Sequence, residues 1–283
     1  MPGLPGAIRL FQVSLITVLH SHKFFYMSSI LFEIKDSIGY ITLNRPDKLN
    51  SFNREMALSM QAALAACVVP EVRCVYLTGA GKAFSAGQDL AEVTDPNGPG
   101  MAKILSEHYN PIIRKIRSLP KPVVAAVNGV AAGAGANIAL SCDIVIASEQ
   151  ASFIQAFSKI GLIPDSGGTH VLPRLIGFQK ASALMMLGEK VSAQDAEKMG
   201  MVYKVFAPDV FEQNCKETAT FLAAMPTLGL AYTKEALNKA MGSTLEDQLE
   251  TEDHFQQLAA STDDYREGVA AFMEKRKPVF TGK

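Results

Sequence analysis

Two patterns of hydrophobic and polar residues alternate along the chain. Residues 31–35 and 40–44 are enriched in β-branched and aromatic side chains and flank the turn-forming residues 36–39, so they predict two paired strands. Three further short apolar runs are typical of buried strands, at residues 72–78, 122–128 and 143–147.

Helical spacing separates these predicted strands. Asn53 can cap a helix that runs to about Ala66. Residues 102–119 repeat with helical period, and Pro111 is expected to start a new helix or kink the existing one. Strands that alternate with helices predict an α/β fold.

Beyond Leu187 the pattern predicts an almost entirely helical region. Three pairs have capping-box spacing and mark expected helix starts: Ser192 with Asp195, Thr244 with Asp247, and Ser261 with Asp264. We therefore divide the chain into an N-terminal extension (1–26), a core (27–225) and a C-terminal helical region (226–283).

The extension differs in composition from the rest. Residues 1–26 hold two basic residues and no acidic ones, and their apolar stretch at 7–19 is too short to span a bilayer. No small-residue cleavage site follows it. We expect Met27 to be the working start and the preceding residues to be disordered or not native.

Composition excludes several classes of protein. The 283 residues carry 27 Lys and Arg against 28 Asp and Glu, a net charge of -1, and 48% of them are hydrophobic. Neither nucleic acid nor a membrane is an expected partner, because both require a concentrated basic field. The four cysteines form no CxxC pair and no Cys/His cluster with metal-ligand spacing. We expect buried, reduced thiols, no metal and a cytoplasmic location.

Candidate chemistry begins in two glycine-rich segments, each leaving a predicted buried strand. They are GAGKAFSAGQDL at 79–90 and NGVAAGAGAN at 128–137. Small residues let a ligand approach the backbone, and unpaired N–H groups at a helix start can hold a developing oxyanion. Two such turns in one chain favour a shared site over two packing turns.

These segments, with LNRP at 43–46, KPVVAAVNG at 121–129 and the C-terminal REG and KRKP motifs, resemble the enoyl-CoA hydratase/isomerase (crotonase) family. The resemblance implies a spiral of ββα units with a C-terminal helical trimerisation region. It also implies an acyl-CoA thioester substrate, with CoA as part of the substrate and no separate cofactor, and homotrimers or hexamers.

The resemblance also implies roles for individual residues. The backbone N–H groups of Gln88 and Ala134 would form the oxyanion hole, although the family usually has glycine at the second position. Residues implied to contact CoA are Lys48, Leu49, Ala86, Asp89 and Leu90, with Phe272 and Lys275 reaching a neighbouring subunit. For the lysines, a solvated surface position is an equally good interpretation.

The segment SKIGLIPDSGGT at 158–169 helps to distinguish hydratases of the family from members that catalyse other reactions. Hydratases of the family position water with two glutamates, whereas the matching positions here are Asn137 and Phe157, which cannot act as bases at neutral pH. Asp165 stands where hydratases have glycine. It could cap the following helix, but a carboxylate beside an apolar pocket is costly without a purpose. We expect Asp165 to be catalytic, with its pKa raised by burial.

One carboxylate facing an oxyanion hole predicts a proton shift. Polarising the thioester makes the adjacent C–H acidic, and a single base can remove that proton and return it elsewhere. Within the family, this segment resembles isomerases that convert ring-1,2-epoxyphenylacetyl-CoA to oxepin-CoA in phenylacetate degradation.

Alternatives remain open at this point. A Δ3,Δ2-enoyl-CoA isomerase of fatty-acid oxidation would need the same proton shift. Asp165 could instead attack carbon as a nucleophile, as in the aryl-CoA dehalogenases that the segment also resembles. The chain could also be a non-catalytic relative that binds CoA or RNA. His108 and His170 are further acid/base candidates, and residues 95–100 are expected to form a mobile lid.

Overall fold

The computed structural model describes residues 23–27 and 29–283. The expectation of a disordered or non-native extension therefore lies, for residues 1–22, outside the described part of the chain. The boundary expected after residue 26 falls inside strand β1 (Lys23–Met27), which pairs antiparallel with β2 (Ile30–Lys35). The sheet thus includes residues upstream of that boundary, because backbone pairing with β2 extends to Lys23.

The described strands form two sheets. The first has the order β1, β2, β3 (Ile38–Leu43), β4 (Cys74–Gly79), β6 (Val123–Val127), β8 (Ile144–Ser148) and β11 (Lys204–Phe206). The second has the order β10 (Lys190–Ser192), β9 (Ser152–Ile154), β7 (Val130–Ala132) and β5 (Ala83–Ser85). Strands from β3 to β11 in the first sheet run parallel, as do β5, β7 and β9 in the second.

Helices connect and cover these strands. They are α1 (Arg54–Ala66), α2 (Leu90–Thr94), α3 (Gly100–Lys103), α4 (Asn110–Ser118), α5 (Ala134–Leu140), α6 (Gly168–Ile176), α7 (Phe178–Leu187), α8 (Ala193–Lys198), α9 (Pro208–Ala223), α10 (Thr227–Ala240), α11 (Leu245–Ala260) and α12 (Asp263–Glu274). Short 3₁₀ turns lie at Pro46–Lys48 and Ala156–Ile160, and a π-helical stretch at Ile104–Tyr109 leads into α4. That irregular stretch ends next to Pro111, where the break was expected.

Successive chain segments repeat one arrangement. β4 and β5, β6 and β7, and β8 and β9 each place their first strand in the seven-stranded sheet and their second in the four-stranded sheet, before helical segments follow. This repetition is the expected α/β spiral of ββα units. It brings the ends of β5 and β7 together, because these two strands pair in parallel.

Sequence and structure agree on α1. The Asn53 side chain accepts a hydrogen bond from the Met56 N–H at 3.0 Å and caps the helix. Met56, Met60 and Leu64 form its buried stripe. The four cysteines are also buried and unbridged, as expected.

The C-terminal third is less purely helical than predicted. β10 and β11 lie beyond Leu187, and each is only three residues long, so neither is long enough to show a strand period in the sequence. The helices α10 to α12 account for most of residues 226–283 and pack on the core. There, Lys234 of α10 forms a buried ion pair with Asp143 at 2.8 Å.

Two of the three expected caps are confirmed and one is wrong. Ser192 caps α8 and Thr244 caps α11. At α12 the cap is Thr262, because Ser261 has helical backbone as the C-cap residue of α11. Asp264 instead accepts hydrogen bonds from the backbone N–H groups of residues 281 and 282, at 2.7 and 2.8 Å, and so holds the C-terminal segment.

No helix among the described residues is both long and apolar enough to cross a membrane.

Candidate active site

The two glycine-rich segments lie side by side. The first runs through β5 and the second through β7, and these two strands pair in parallel with Ala83 opposite Val130. A Cβ at Gly135 would lie only 2.6 Å from the Cβ of buried Ser85. The two segments therefore pack closely enough that position 135 requires glycine.

A second close approach links the predicted oxyanion donors. Gly87 has a φ of 89°, and a Cβ there would lie 2.7 Å from the Ala132 carbonyl oxygen and 3.4 Å from the Ala134 nitrogen. The residue preceding Gln88 is thus in contact with Ala134. Within the described chain, neither the Gln88 N–H nor the Ala134 N–H donates a hydrogen bond. Ala134 begins α5, where N–H groups have no partner in the helix. Both N–H groups therefore remain available to a ligand, and their predicted role as one oxyanion hole stays a prediction.

An ion pair anchors the first segment. Arg45 Nη2 contacts Asp89 Oδ2 at 2.8 Å, and Nη1 donates to the Ser51 carbonyl at 2.6 Å. Asp89 also caps α2 by accepting from the Ala91 N–H at 3.1 Å. Asp89 therefore has two partners within the protein, and its implied contact with CoA stays a prediction.

The Gln88 side chain is fixed as well. Its Oε1 accepts a hydrogen bond from the Tyr109 hydroxyl at 2.7 Å, and its Nε2 donates to Glu92 Oε2 at 3.0 Å. Tyr109 is buried, and burial, followed by the negative charges of Asp165, Glu92 and Asp89, raises its pKa well above the ordinary value. The hydroxyl stays protonated and donates to Gln88.

The two histidines differ sharply. His108 is buried in the π-helical stretch, 3.2 Å from Arg54 Nη1 and 3.9 Å from Glu92 Oε2. Burial lowers its pKa below the ordinary value, which favours the neutral form of the imidazole. His170 lies exposed in the first turn of α6.

Asp165 lies half-buried in the loop before α6. Burial raises its pKa above the ordinary value, the direction expected from the sequence, while the Ser166 hydroxyl donates to Oδ1 at 2.9 Å and works in the opposite direction. The next residues have left-handed backbone, with φ of 52° at Ser166 and 75° at Gly167. The Asp165 side chain does not cap α6, whose first residues receive no side-chain hydrogen bond.

Asn137, the last residue of the second glycine-rich segment, contacts the loop of Asp165, and Phe157 lies against the same segment. Asn137, in α5, donates from Nδ2 to the Asp165 carbonyl at 2.8 Å. The buried Phe157 ring lies 3.7 Å from where a Cβ at Gly133 would stand. Neither side chain carries an ionisable group, so the two positions have no base for activating water.

A groove of about 510 Å³ opens beside the first segment, lined by Pro46, Asp47, Leu49, Gly81 and Lys82. Leu49 lines this groove and exposed Lys48 precedes it in the chain, and the predicted contact of both residues with CoA stays a prediction. Ala86 is half-buried and Leu90 is exposed at the start of α2.

The last two residues predicted to contact CoA, Phe272 and Lys275, lie apart from this groove. Phe272 is 82% exposed on α12 and lines a separate apolar groove, and Lys275 ends that helix with left-handed backbone. In a single chain they are not brought to the site, so their contact with a neighbouring subunit's nucleotide stays a prediction.

Comparison with known proteins identifies the family of this chain. Residues 33–283 match the model of the enoyl-CoA hydratase/isomerase family. The chain belongs to this family of enzymes. It is 47% identical over 265 residues to the 1,2-epoxyphenylacetyl-CoA isomerase of Escherichia coli K12, covering 91% of this chain and all of that protein.

Other relatives of this hydratase/isomerase family member are named for different activities. It is 36% identical to the trans-2-decenoyl-[acyl-carrier-protein] isomerase of Streptococcus mutans, covering 90% of this chain and 98% of that protein. The enoyl-CoA hydratase structure from Bacillus anthracis is 32% identical, with a TM-score of 0.82 over 93% of this chain and all of that one. The family includes both reaction types, so side chains must distinguish them.

Sequence reasoning missed several residues of this family member's site. Tyr109 and Gln155 carry no motif signal, because their partners are 21 and 18 positions away in the chain. Glu92 bonds to nearby Gln88, but it also accepts from the Arg54 N–H, 38 positions away. Arg45 was part of a quoted motif, yet its ion pair with Asp89 spans 44 positions. No group of three potential metal-ligating side chains occurs among residues 23–27 and 29–283.

Proposed function

We propose that this enzyme isomerises ring-1,2-epoxyphenylacetyl-CoA to oxepin-CoA by a proton shift in which Asp165 is the base. The observation that carries the proposal is the pairing of one carboxylate of raised pKa with non-ionisable Asn137 and Phe157 at the two positions where hydratases of the family have glutamate.

The first step would form an enolate. An Asp165 carboxylate oxygen takes a proton from the carbon next to the thioester, and the C–H electron pair moves toward the thioester oxygen. The negative charge that develops there is held by the N–H groups of Gln88 and Ala134. Unpaired, preorganised donors of this kind stabilise an oxyanion strongly because they need no reorganisation.

The second step would return the proton. The bond shared by the six-membered ring and the epoxide breaks, which leaves a seven-membered ring containing the oxygen. Asp165 then gives its proton to a ring carbon, so the product has the same atoms as the substrate and the carboxylate is regenerated. A base with a pKa moved toward neutrality suits both directions of transfer.

A related proton shift is the second candidate. The similarity to an isomerase of trans-2-decenoyl thioesters favours activity on unsaturated acyl chains, where Asp165 would move the double bond between the 3- and 2-positions. A non-catalytic role is disfavoured by the two unpaired oxyanion donors together with Asp165.

The test is turnover by purified wild type and Asp165→Asn of three substrates: ring-epoxidised phenylacetyl-CoA, a 3-enoyl-CoA, and a 2-enoyl-CoA as the hydration control. Epoxide turnover that is lost in the variant, with little hydration, supports the proposal. Dominant hydration, or a variant with full activity, would show that Asp165 is not the base.

We also propose assembly into trimers or pairs of trimers through the C-terminal helices. Val269, Phe272 and Met273 of α12 and Val279 beyond it are between 47% and 82% exposed in the single chain, which suits burial against another subunit. Analytical ultracentrifugation of wild type and Phe272→Asp tests this, and a monomeric wild type would contradict it.

A further inference from the structure

A buried pair of amide side chains connects the two halves of the site. Gln155 Nε2 donates to Asn137 Oδ1 at 2.8 Å, and Asn137 Nδ2 donates to the backbone carbonyl of Asp165, also at 2.8 Å. Gln155 is 4% exposed and Asn137 is 1% exposed. Buried hydrogen bonds of this kind fix orientation, because neither amide has water as an alternative partner.

Asn137 is placed to relate the base to the oxyanion hole. It lies in α5, whose first residue is Ala134, and its own N–H bonds to the Gly133 carbonyl at 3.1 Å. Its side chain reaches the loop that carries Asp165. The same short helix therefore presents one oxyanion donor and holds the backbone of the base.

The packing around Asn137 fits this role. A Cβ at Gly168 would lie 2.3 Å from Asn137 Nδ2, so glycine there makes room for the amide. The Gly168 N–H donates to the same Asp165 carbonyl at 2.9 Å. Two donors from different elements thus converge on one carbonyl of a loop whose next two residues have positive φ.

We propose that Asn137, oriented by Gln155, is a positioning residue that sets where the Asp165 carboxylate stands relative to the oxyanion hole. The proposal rests on the proposed function of Asp165 as the base. Only an amide side chain can make both hydrogen bonds at position 137, because Oδ1 must accept from Gln155 while Nδ2 donates to the Asp165 carbonyl. Aspartate keeps the acceptor but, when ionised, has no donor, and leucine keeps similar volume with neither.

The experiment measures α-deuterium incorporation into phenylacetyl-CoA in D₂O by mass spectrometry, which follows proton removal alone. The variants are Asn137→Leu and Asn137→Asp. We expect both to lower the maximal exchange rate on the order of 10- to 100-fold, as misplacement of a catalytic group does, with the half-saturating concentration of phenylacetyl-CoA unchanged.

Asn238→Leu is the matched control. Asn238 also donates its side-chain amide to a backbone carbonyl, that of Arg117 at 3.1 Å, but it lies in α10, in the C-terminal helical region. It should exchange at the wild-type rate. Thermal unfolding of all variants identifies any that fail to fold, in which case Gln155→Leu, which disorients Asn137 without removing its donor, takes their place and should give a smaller loss.

A double variant distinguishes an effect of Asn137 on Asp165 from an effect of Asn137 on the rest of the site. If Asn137 acts through Asp165, adding Asn137→Leu to Asp165→Asn lowers the residual exchange no further. A further loss would mean that Asn137 supports the oxyanion helix instead. A wild-type rate in both Asn137 variants overturns the positioning role alone, whereas a wild-type rate in Asp165→Asn overturns the proposed function itself.

Discussion

The site has an oxyanion side, formed by the turns that carry Gln88 and Ala134, and a base side around Asp165. Backbone groups form the first and side chains form the second. On the oxyanion side, two adjacent turns carry backbone N–H groups, and they pack so closely that a Cβ at Gly87 would lie 2.7 Å, and one at Gly135 2.6 Å, from an atom of the other turn. On the base side, side-chain amides make the contacts: Asn137 donates to the Asp165 backbone carbonyl, and Gln155 donates to Asn137. We propose that the backbone groups serve one common step, enolate stabilisation, and that the side chains near Asp165 decide the reaction.

Asp165→Asn should give the largest loss of activity without harming the fold. Removing a general base lowers kcat by about 10²- to 10⁴-fold. Burial raises the pKa of Asp165 in the folded state, so its stabilising contribution is complete at low pH and is lost as pH rises through that pKa. Since asparagine does not ionise, the variant should have a higher free energy of unfolding than wild type at neutral pH. Kinetics and urea denaturation at pH 7 check both statements, and a clearly destabilised variant would show that Asp165 has a structural role.

Gly135→Ala should damage activity and stability together. The new Cβ would lie 2.6 Å from Ser85, so the turns must separate, and overpacking of this kind costs about 1–3 kcal/mol. Gly242→Ala is the matched control, because no atom lies within 4 Å of a Cβ built there. Thermal unfolding and isomerase assays should show losses in the first variant alone. Equal behaviour of the two would contradict the close packing of the oxyanion side.

The pH dependence of kcat should reflect the ionisation of Asp165, because the backbone N–H groups of the oxyanion side do not titrate. Asp165 works as a base only when ionised, and burial raises its pKa, so kcat should fall on acidification at a pH above the usual aspartate range. In Asp165→Asn the residual rate should lack this inflection. A wild-type inflection at the ordinary aspartate pKa would show that the carboxylate is more solvated than the structure indicates.

Tyr109→Phe should have the smallest effect. It removes the hydrogen bond from the hydroxyl to Gln88 Oε1 but leaves the Gln88 N–H in place. A neutral hydrogen bond contributes about 0.5–1.5 kcal/mol, so kcat should fall roughly 2- to 10-fold. The double variant with Asp165→Asn should show additive losses, because Tyr109 acts on the oxyanion side. Steady-state kinetics measure both, and a loss as large as that of Asp165→Asn would place Tyr109 among the proton-transferring groups.

Whether a feature could be predicted from the sequence depends on how far apart in the chain its interacting residues lie. The hairpin, the Asn53 cap and the two glycine turns depend on neighbours within a few residues, and they were predictable. The chemistry of its side chain excludes Asn137 as a base, but its bond to Asp165 spans 28 positions and carries no local signal. Likewise β10 and β11 form because partner strands are available, and the start of α12 shifted by one residue because Ser261 ends α11. Tertiary contacts override local preference in these cases.

We propose that this site moves a proton and does not add water. The most direct measurement is reaction of a 3-enoyl-CoA with purified enzyme in H₂¹⁸O, with products identified by mass spectrometry. We expect a 2-enoyl-CoA without ¹⁸O, formed by wild type and nearly absent with Asp165→Asn. A 3-hydroxyacyl-CoA containing ¹⁸O as the main product, or an unchanged rate in the variant, would contradict it.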